Sequence, residues 1–206
     1  MPLQCKTVFF ADKIFHVGKN VYEPAEDSFL FAENLDVKRG NVVLDMGTGC
    51  GILGIIAAEK ASKVIAVDIN PHAIHCAKEN AIRNNVADKI LFVQGNLFAP
   101  LRTKRLFDLI LFNAPYLPTR TTEKLSWIEY AWSGGLNGRQ VIDRFICEVP
   151  KYLKACGRVL LMQSNLSGIG ETAQQFRDVG MKARVIAERN LPFFEKVVLF
   201  AAEPFA

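Results

Sequence analysis

VVLDMGTGCGILG, residues 42–54, reads as strand, glycine turn and helix in immediate succession. Val42, Val43 and Leu44 form a short apolar run ending in Asp45, and glycines follow at 47, 49, 51 and 54. Ile52, Leu53, Ile55, Ile56, Ala57 and Ala58 then continue as a helix-compatible apolar segment. Glycine lets the backbone bend sharply and lets a ligand approach without meeting a Cβ atom. Dinucleotide and nucleoside sites of α/β sheets use this order, although an ordinary strand-to-helix turn can also be glycine-rich. A second apolar run, Val64 to Val67, ends in Asp68 at about the distance at which such folds set a carboxylate on ribose hydroxyls. That second acid favours the nucleoside site.

On the amino side, TVFFADKIFHV (7–17) predicts two short strands around Ala11–Asp12–Lys13, a hairpin at the sheet edge. VYEPAEDSFLFAENL (21–35) predicts a helix with Pro24 in its first turn and Glu23, Glu26 and Asp27 where the helix dipole favours negative charge. Residue chemistry alone favours a capped helix over a pocket wall, with Ser28 as the hydroxyl that a pocket would use. On the carboxyl side, Asn70–Pro71 opens a helix to about Asn84, and a strand follows at Ile90–Val93. Asn96, just beyond that strand, is placed either to reach a base edge or to serve as a turn asparagine. Phe107–Phe112 is nearly all apolar, as a strand covered on both faces would be, and runs into Asn113-Ala114-Pro115-Tyr116. Residues 117–138 form a long irregular stretch with Trp127, Tyr130, Trp132 and three glycines, and ordered loops of that length are usually functional. A helix over 139–153, a strand over 159–163, a helix over 170–179 and two strands at 182–187 and 196–202 complete the reading. Alternating strands and helices that end in two strands predict an α/β, mainly parallel sheet with an antiparallel final strand.

The 206 residues are most simply one domain, with residues 1–36 as an extension of it. Half of them are hydrophobic and 22% are charged, the profile of a globular protein. No apolar run approaches the roughly 18 residues that span a bilayer, and the start, MPLQCKTVFF, does not read as a secretory signal. Five scattered cysteines without a CxxC pair fit reduced thiols and a cytoplasmic location. His72, His75 and Cys76 share a helix, but nothing nearby completes a metal site, so no metal is expected. A net charge of +4 is too mild to argue for nucleic acid as a partner.

Gly47, Gly49, Asp68, Asn96 and Asn113 all fall at carboxyl ends of predicted strands, where open α/β sheets bind ligands. GTGCGILG lacks the Lys-Ser/Thr ending of a P-loop, which leaves a nucleoside or a dinucleotide. Residues 113–116 decide between them. They offer an amide, exposed carbonyls and a phenol ring, but no base, nucleophile or metal ligand. Such a set can hold a planar NH2 group: the Asn113 side-chain oxygen and the Ala114 carbonyl accept its hydrogens while Tyr116 packs on it. Drawing both hydrogens to acceptors favours a nitrogen whose lone pair faces an electrophile, such as a sulfonium methyl. A strand-terminating Asn-x-Pro turn is the plain alternative.

VLDMGTGCGILG, VDIN (67–70) and FNAPY (112–116) resemble the S-adenosyl-L-methionine (AdoMet) and N-P-P-Y motifs of class I amino-methyltransferases. VYEPAEDSFL (21–30) and AWSGGLNGRQVIDRF (131–145) resemble the short, single-domain archaeal and eukaryotic branch of the HemK/PrmC family along nearly the whole chain. The resemblance implies a Rossmann-like fold with a seven-stranded, mostly parallel sheet whose last strand is antiparallel. It implies methylation of the glutamine side-chain amide in the Gly-Gly-Gln loop of a class I translation release factor, with S-adenosyl-L-homocysteine as product. It places Ser28, Asp45, Gly47, Gly49, Asp68, Asn96, Leu97 and Asn113 at AdoMet. The acceptor site would be Asn113, Ala114, Pro115 and Tyr116, with 118–138 helping to cover the substrate. A small zinc-binding activator is an implied partner, docking at an exposed apolar edge strand. Ala114 stands where the family has proline and Asn96 where aspartate is common; the first leaves the carbonyl in place, and Pro115 keeps residue 114 extended. Adenine-N6 methylation of DNA, protein lysine methylation and an AdoMet-binding scaffold are the alternatives.

Overall fold

The computed structural model describes residues 5–120 and 125–205. Residues 1–4 of the start read above, 121–124 of the substrate-covering stretch and 206 lie outside the described residues. The chain begins with strands β1 (Lys6–Phe10) and β2 (Lys13–Val17) and helix α1 (Glu26–Glu33). Next come β3 (Val42–Met46), α2 (Ile52–Ala58), β4 (Lys63–Asp68), α3 (Pro71–Arg83), β5 (Ile90–Gln94) and β6 (Phe107–Asn113). The second half supplies α4 (Gln140–Glu148), β7 (Leu153–Ser164), α5 (Ile169–Asp178), β8 (Met181–Asn190) and β9 (Lys196–Pro204).

Seven strands form one sheet in the order β5-β4-β3-β6-β7-β9-β8. β5, β4, β3, β6 and β7 pair in parallel, and β9 inserts antiparallel between β7 and β8. This is the predicted sheet, with the last strand reversed. Its central strand β6 shows why the pattern is apolar throughout: Leu109 and Leu111 enter one buried cluster, while Ile110 and Phe112 enter the other. α1, α2 and α3 cover the first face, with Phe15, Phe31 and Ile55 fully buried beneath them. α4 and α5 cover the second, over Phe98, Phe145 and Phe176.

Three readings shift. β1 and β2 pair with each other in a separate two-stranded sheet rather than on the edge of the large one. The side chains of Asn80 on α3 and of Asn84 at its C-cap take up the β2 backbone at His16 and Ile14, which fastens the hairpin over that helix. α1 starts at Glu26, because the chain is still extended at Ala25 (φ −125°) and Pro24 lies before the helix. α4 stops at Glu148, five residues early, since Pro150 has no N–H to continue it, and β7 begins at Leu153.

Asn70 caps α3, its side-chain oxygen accepting from His72 N at 2.9 Å. The glycine turn between β3 and α2 is packed to the limit at its far end. A Cβ on Gly54 would sit 2.7 Å from Asp45 Oδ2 and 3.4 Å from Asp45 Cβ. Gly54→Ala is therefore expected to destabilise the fold by about 2 kcal/mol, read as a lower urea midpoint.

Candidate active site

The carboxyl ends of β3, β4, β5 and β6 open into a cleft of about 590 Å³. Gly47, Gly49 and Gly51 take φ of +65°, +58° and +90°, the left-handed region in which a Cβ is strained. A Cβ on Gly49 would meet nothing within 4 Å, so this part of the turn faces open space and not the core. Gly49 N donates to Asp68 Oδ2 and Asn70 N to Asp68 Oδ1, each at 2.9 Å. These bonds fix the Asp68 carboxylate at the end of β4 and leave it lone pairs for a diol. Burial pushes its pKa upward, against the pull of the two amides.

Asp45, expected against the cofactor, is not on the cleft wall. It lies 1% exposed behind the turn, accepting from Thr48 Oγ1 at 2.5 Å and Gly54 N at 3.0 Å, with Oδ1 unpartnered. Its place is structural. Burial lifts its pKa to about 7, against the two donors. An unfolded carboxyl titrates near 3.8, so between about pH 4 and 7 the folded chain keeps a proton the unfolded chain has lost. Stability from this group is thus complete below pH 4 and is lost as pH rises through 7, by at most a few kcal/mol. Wild type is expected to lose urea resistance between pH 5.5 and 8, and Asp45→Asn, whose oxygen can serve both donors, to lose less over the same interval.

The Asn113 end of the cleft is organised by a residue the sequence reading assigned only to the helix dipole. Asp27, on α1, is 4% exposed. Its Oδ1 accepts from Ser28 N (2.6 Å), Ser28 Oγ (3.2 Å) and Tyr22 Oη (3.3 Å). Its Oδ2 accepts from Asn113 Nδ2 (3.0 Å) and Tyr116 Oη (3.2 Å). Ser28 Oγ also accepts from Asn113 Nδ2 at 3.3 Å. Burial and the neighbouring Asp27 carboxylate push both phenols well above their usual range, so they remain donors. Five donors occupy the two oxygens of Asp27. What they do is settle which way Asn113 faces: its NH2 is tied back to α1, and its Oδ1 is buried without a partner. A buried acceptor left unmade costs free energy, and Asn113 is one of the residues that line the cleft.

The expected residues come together here: Ser28, Gly47, Gly49, Asp68, Asn96, Leu97 and all of Asn113–Tyr116 line the one cleft. Leu97 holds φ +50°, uncommon for a side chain of its size. The Asn96 side-chain oxygen lies 3.5 Å from Arg144 Nη2, which α4 places on the same wall. Sequence reasoning missed Asp27, Tyr22 and Arg139. Arg139, 9% exposed, donates to Ser167 O (2.6 Å), Gly168 O (3.0 Å), Thr172 Oγ1 (2.9 Å) and Gln175 Oε1 (3.1 Å) and pairs with Asp143 (2.8 Å). It pins the 133–138 loop to the fold, and that loop grips the segment that follows β6. Leu117 N donates to Trp132 O and Gly134 N to Leu117 O, both at 2.9 Å. A Cβ on Gly138 would stand 2.3 Å from Tyr116 O, which is why a left-handed glycine (φ +73°) sits there.

The cleft fits an adenosine sulfonium. Its volume suits a ligand of that size, Asp68 offers a carboxylate to hydroxyls, and Val67, Leu97 and Phe112 supply apolar wall. The methyltransferase small domain family matches residues 23–129. A Methanocaldococcus jannaschii protein named as a protein N5-glutamine methyltransferase is 46% identical over 183 residues, covering 88% of this chain and 91% of its own. The human methyltransferase HEMK2 is 33% identical over 191 residues, covering 85% and 88%. The chain belongs to the HemK/PrmC family of AdoMet-dependent methyltransferases. Among solved structures, the E. cuniculi Mtq2–Trm112 complex, which methylates the translation termination factor eRF1, superposes with a TM-score of 0.70 at 23% identity. That match covers 90% of this methyltransferase and 99% of that chain, and it supports the fold. No helix among the described residues is long and apolar enough to cross a membrane.

Proposed function

We propose that this methyltransferase transfers the methyl group of AdoMet to the side-chain amide nitrogen of the Gly-Gly-Gln glutamine in a class I translation release factor. The observation that carries the reading is the unpartnered Oδ1 of Asn113, held in place through its own NH2 by Asp27 and Ser28. An acceptor oxygen with no base beside it suits an uncharged NH2 group. A lysine ammonium would first need a base to take its proton, and every oxygen lone pair direction of Asp27 is already engaged. Adenine in DNA would have to be flipped out of its stack over a basic surface, and a net charge of +4 supplies little of one.

When bound, AdoMet supplies an electrophilic methyl on its sulfonium and leaves as S-adenosyl-L-homocysteine. Asn113 Oδ1 and the Ala114 carbonyl accept the two amide hydrogens, and Tyr116 packs on the amide plane. The nitrogen lone pair is thereby turned toward the cleft, where in-line geometry does the work that a base would otherwise do. Once the N–C bond forms, the nitrogen is acidic and gives its extra proton to water. Asp68 holds the ribose hydroxyls, Gly47, Gly49 and Ser28 cradle the methionine end, and Asn96 and Leu97 meet the adenine. No step calls for a metal.

The name of the M. jannaschii relative and the activity of the Mtq2 complex both support this acceptor. The Mtq2–Trm112 pairing also supports a small activator subunit, for which the free edge of β5, with Leu91 exposed, is a suitable seat. Incubation with a class I release factor and AdoMet, with and without such a subunit, is expected to add one methyl group to the loop glutamine. Methylation on lysine or on DNA adenine instead would overturn the assignment.

A further inference from the structure

We propose that the tip of the β8–β9 hairpin, Phe193 and Phe194, is a docking element for the folded body of the acceptor protein. The inference rests on the glutamine reading above and extends it from the acceptor atom to the surface that delivers it. Phe193 and Phe194 are 97% and 99% exposed, so neither ring contributes to this fold's core. Both are also held at left-handed φ, +61° and +63°, a costly backbone for a bulky side chain. Strain without burial is the pattern of a segment shaped for something outside the chain.

The tip is braced. Leu191 N donates to Glu195 O at 2.8 Å across the turn, and Lys196 N donates to the Asn165 side-chain oxygen at 2.8 Å. Asn165 Nδ2 returns a bond to Phe194 O at 3.4 Å. Leu166 beside it is 52% exposed, and the next residue, Ser167, abuts the glycine loop at Gly138, which carries Leu136 at 78% exposure. An apolar rim thus runs along this side of the molecule.

Position decides the occupant. β9 is antiparallel to β7 with Val197 opposite Ser164, so the tip projects at the same end of the sheet as Asn113, which lies opposite Met162. Strand spacing of about 4.8 Å and a rise of about 3.3 Å per residue put the rings within roughly 20 Å of Asn113. Glu195 of the same turn is close enough to Tyr22 and Tyr116 for its charge to raise both phenols. A glutamine side chain spans only a few ångströms, so a folded protein that presents one to Asn113 brings its own surface to the end of the sheet from which the tip projects. The acceptor protein is the occupant that catalysis itself brings to the place.

The test is the double substitution Phe193→Asn/Phe194→Asn, asparagine being the side chain that best tolerates this backbone. Kinetics are measured on an intact class I release factor and on a short Gly-Gly-Gln peptide, with wild type in parallel. For the intact protein, KM is expected to rise about 30-fold at little cost in kcat, while peptide kinetics and thermal midpoint stay at wild-type values. Equal loss on the peptide, or no loss on the intact protein, overturns the proposal. So does a changed sedimentation coefficient with unchanged substrate kinetics, which would assign the patch to self-association. Failure of wild type to methylate the glutamine of either substrate would count against the acceptor assignment, and is thereby distinguishable from failure of the docking role.

Discussion

Asn113→Ala is expected to lower kcat about 10³-fold while the dissociation constant for AdoMet stays within about threefold of wild type. The substitution removes a buried acceptor, on a residue of the cleft wall, that the surrounding hydrogen bonds leave unfilled. It leaves intact the glycine turn and Asp68, to which the proposal assigns the cofactor. Losing a preorganised hydrogen-bonding group from a transition state typically costs 10²- to 10³-fold, and in the proposed mechanism the same group also sets the direction of the lone pair. Calorimetric titration with AdoMet and single-turnover kinetics separate the two quantities. Loss of cofactor affinity in step with kcat would mean that Asn113 serves mainly the cofactor.

Asp27→Asn is expected to reduce kcat about 10²-fold with a smaller change in KM, although Asp27 itself need not touch substrate. The backbone N–H of Ser28, at 2.6 Å, keeps an oxygen at the Oδ1 position, so the new NH2 falls at Oδ2. There it faces Asn113 Nδ2 and Tyr116 Oη, both donors. The carboxamide of Asn113 relieves the clash by turning over, which offers NH2 to the incoming amide in place of oxygen. Orphaned donors in a buried site also cost about 1–3 kcal/mol each, so the thermal midpoint should fall. Tyr116→Phe is the informative companion. It removes one of the five donors but leaves the Asp27–Asn113 bond, and a loss of only several-fold is expected. Comparable losses in the two variants would show that Asp27 acts through the fold's stability and not through the facing of Asn113.

The supersecondary units were readable wherever local chemistry and tertiary demand coincide. The run 42–58 could hardly be other than strand, turn and helix, since Gly47, Gly49 and Gly51 sit where φ is positive and its apolar residues where the core is. The apolar β6 likewise announced a strand with helices on both faces. Boundaries failed where a long-range contact overrode the local signal. β7 extends back to Leu153 because Phe107 pairs there, across an irregularity in the ladder that no local pattern reveals. The hairpin left the large sheet because α3 asparagines claimed its backbone.

The site was legible as a collection of strand ends that share one cleft. Asp27 was not, because an acid in the first turn of a helix has an ordinary explanation in the dipole. Only the packing of α1 against β6, which brings residue 27 to within hydrogen-bonding distance of residues 113 and 116, separates that explanation from the other. Asp45 erred in the opposite sense. It shares a strand with the glycine turn, but it projects behind the turn to Thr48 and Gly54 and not into the cleft. Arg139 stood in plain view at a helix start, yet its five partners come mostly from residues 28 or more positions downstream.

The most direct measurement of the central claim, a base-free site that orients an uncharged amide, is tandem mass spectrometry of a class I release factor incubated with AdoMet and either wild type or Asn113→Ala. The prediction is a single added methyl on the Gly-Gly-Gln glutamine with wild type and none with the variant over the same interval. A glutamine methylated equally well by both proteins would contradict it.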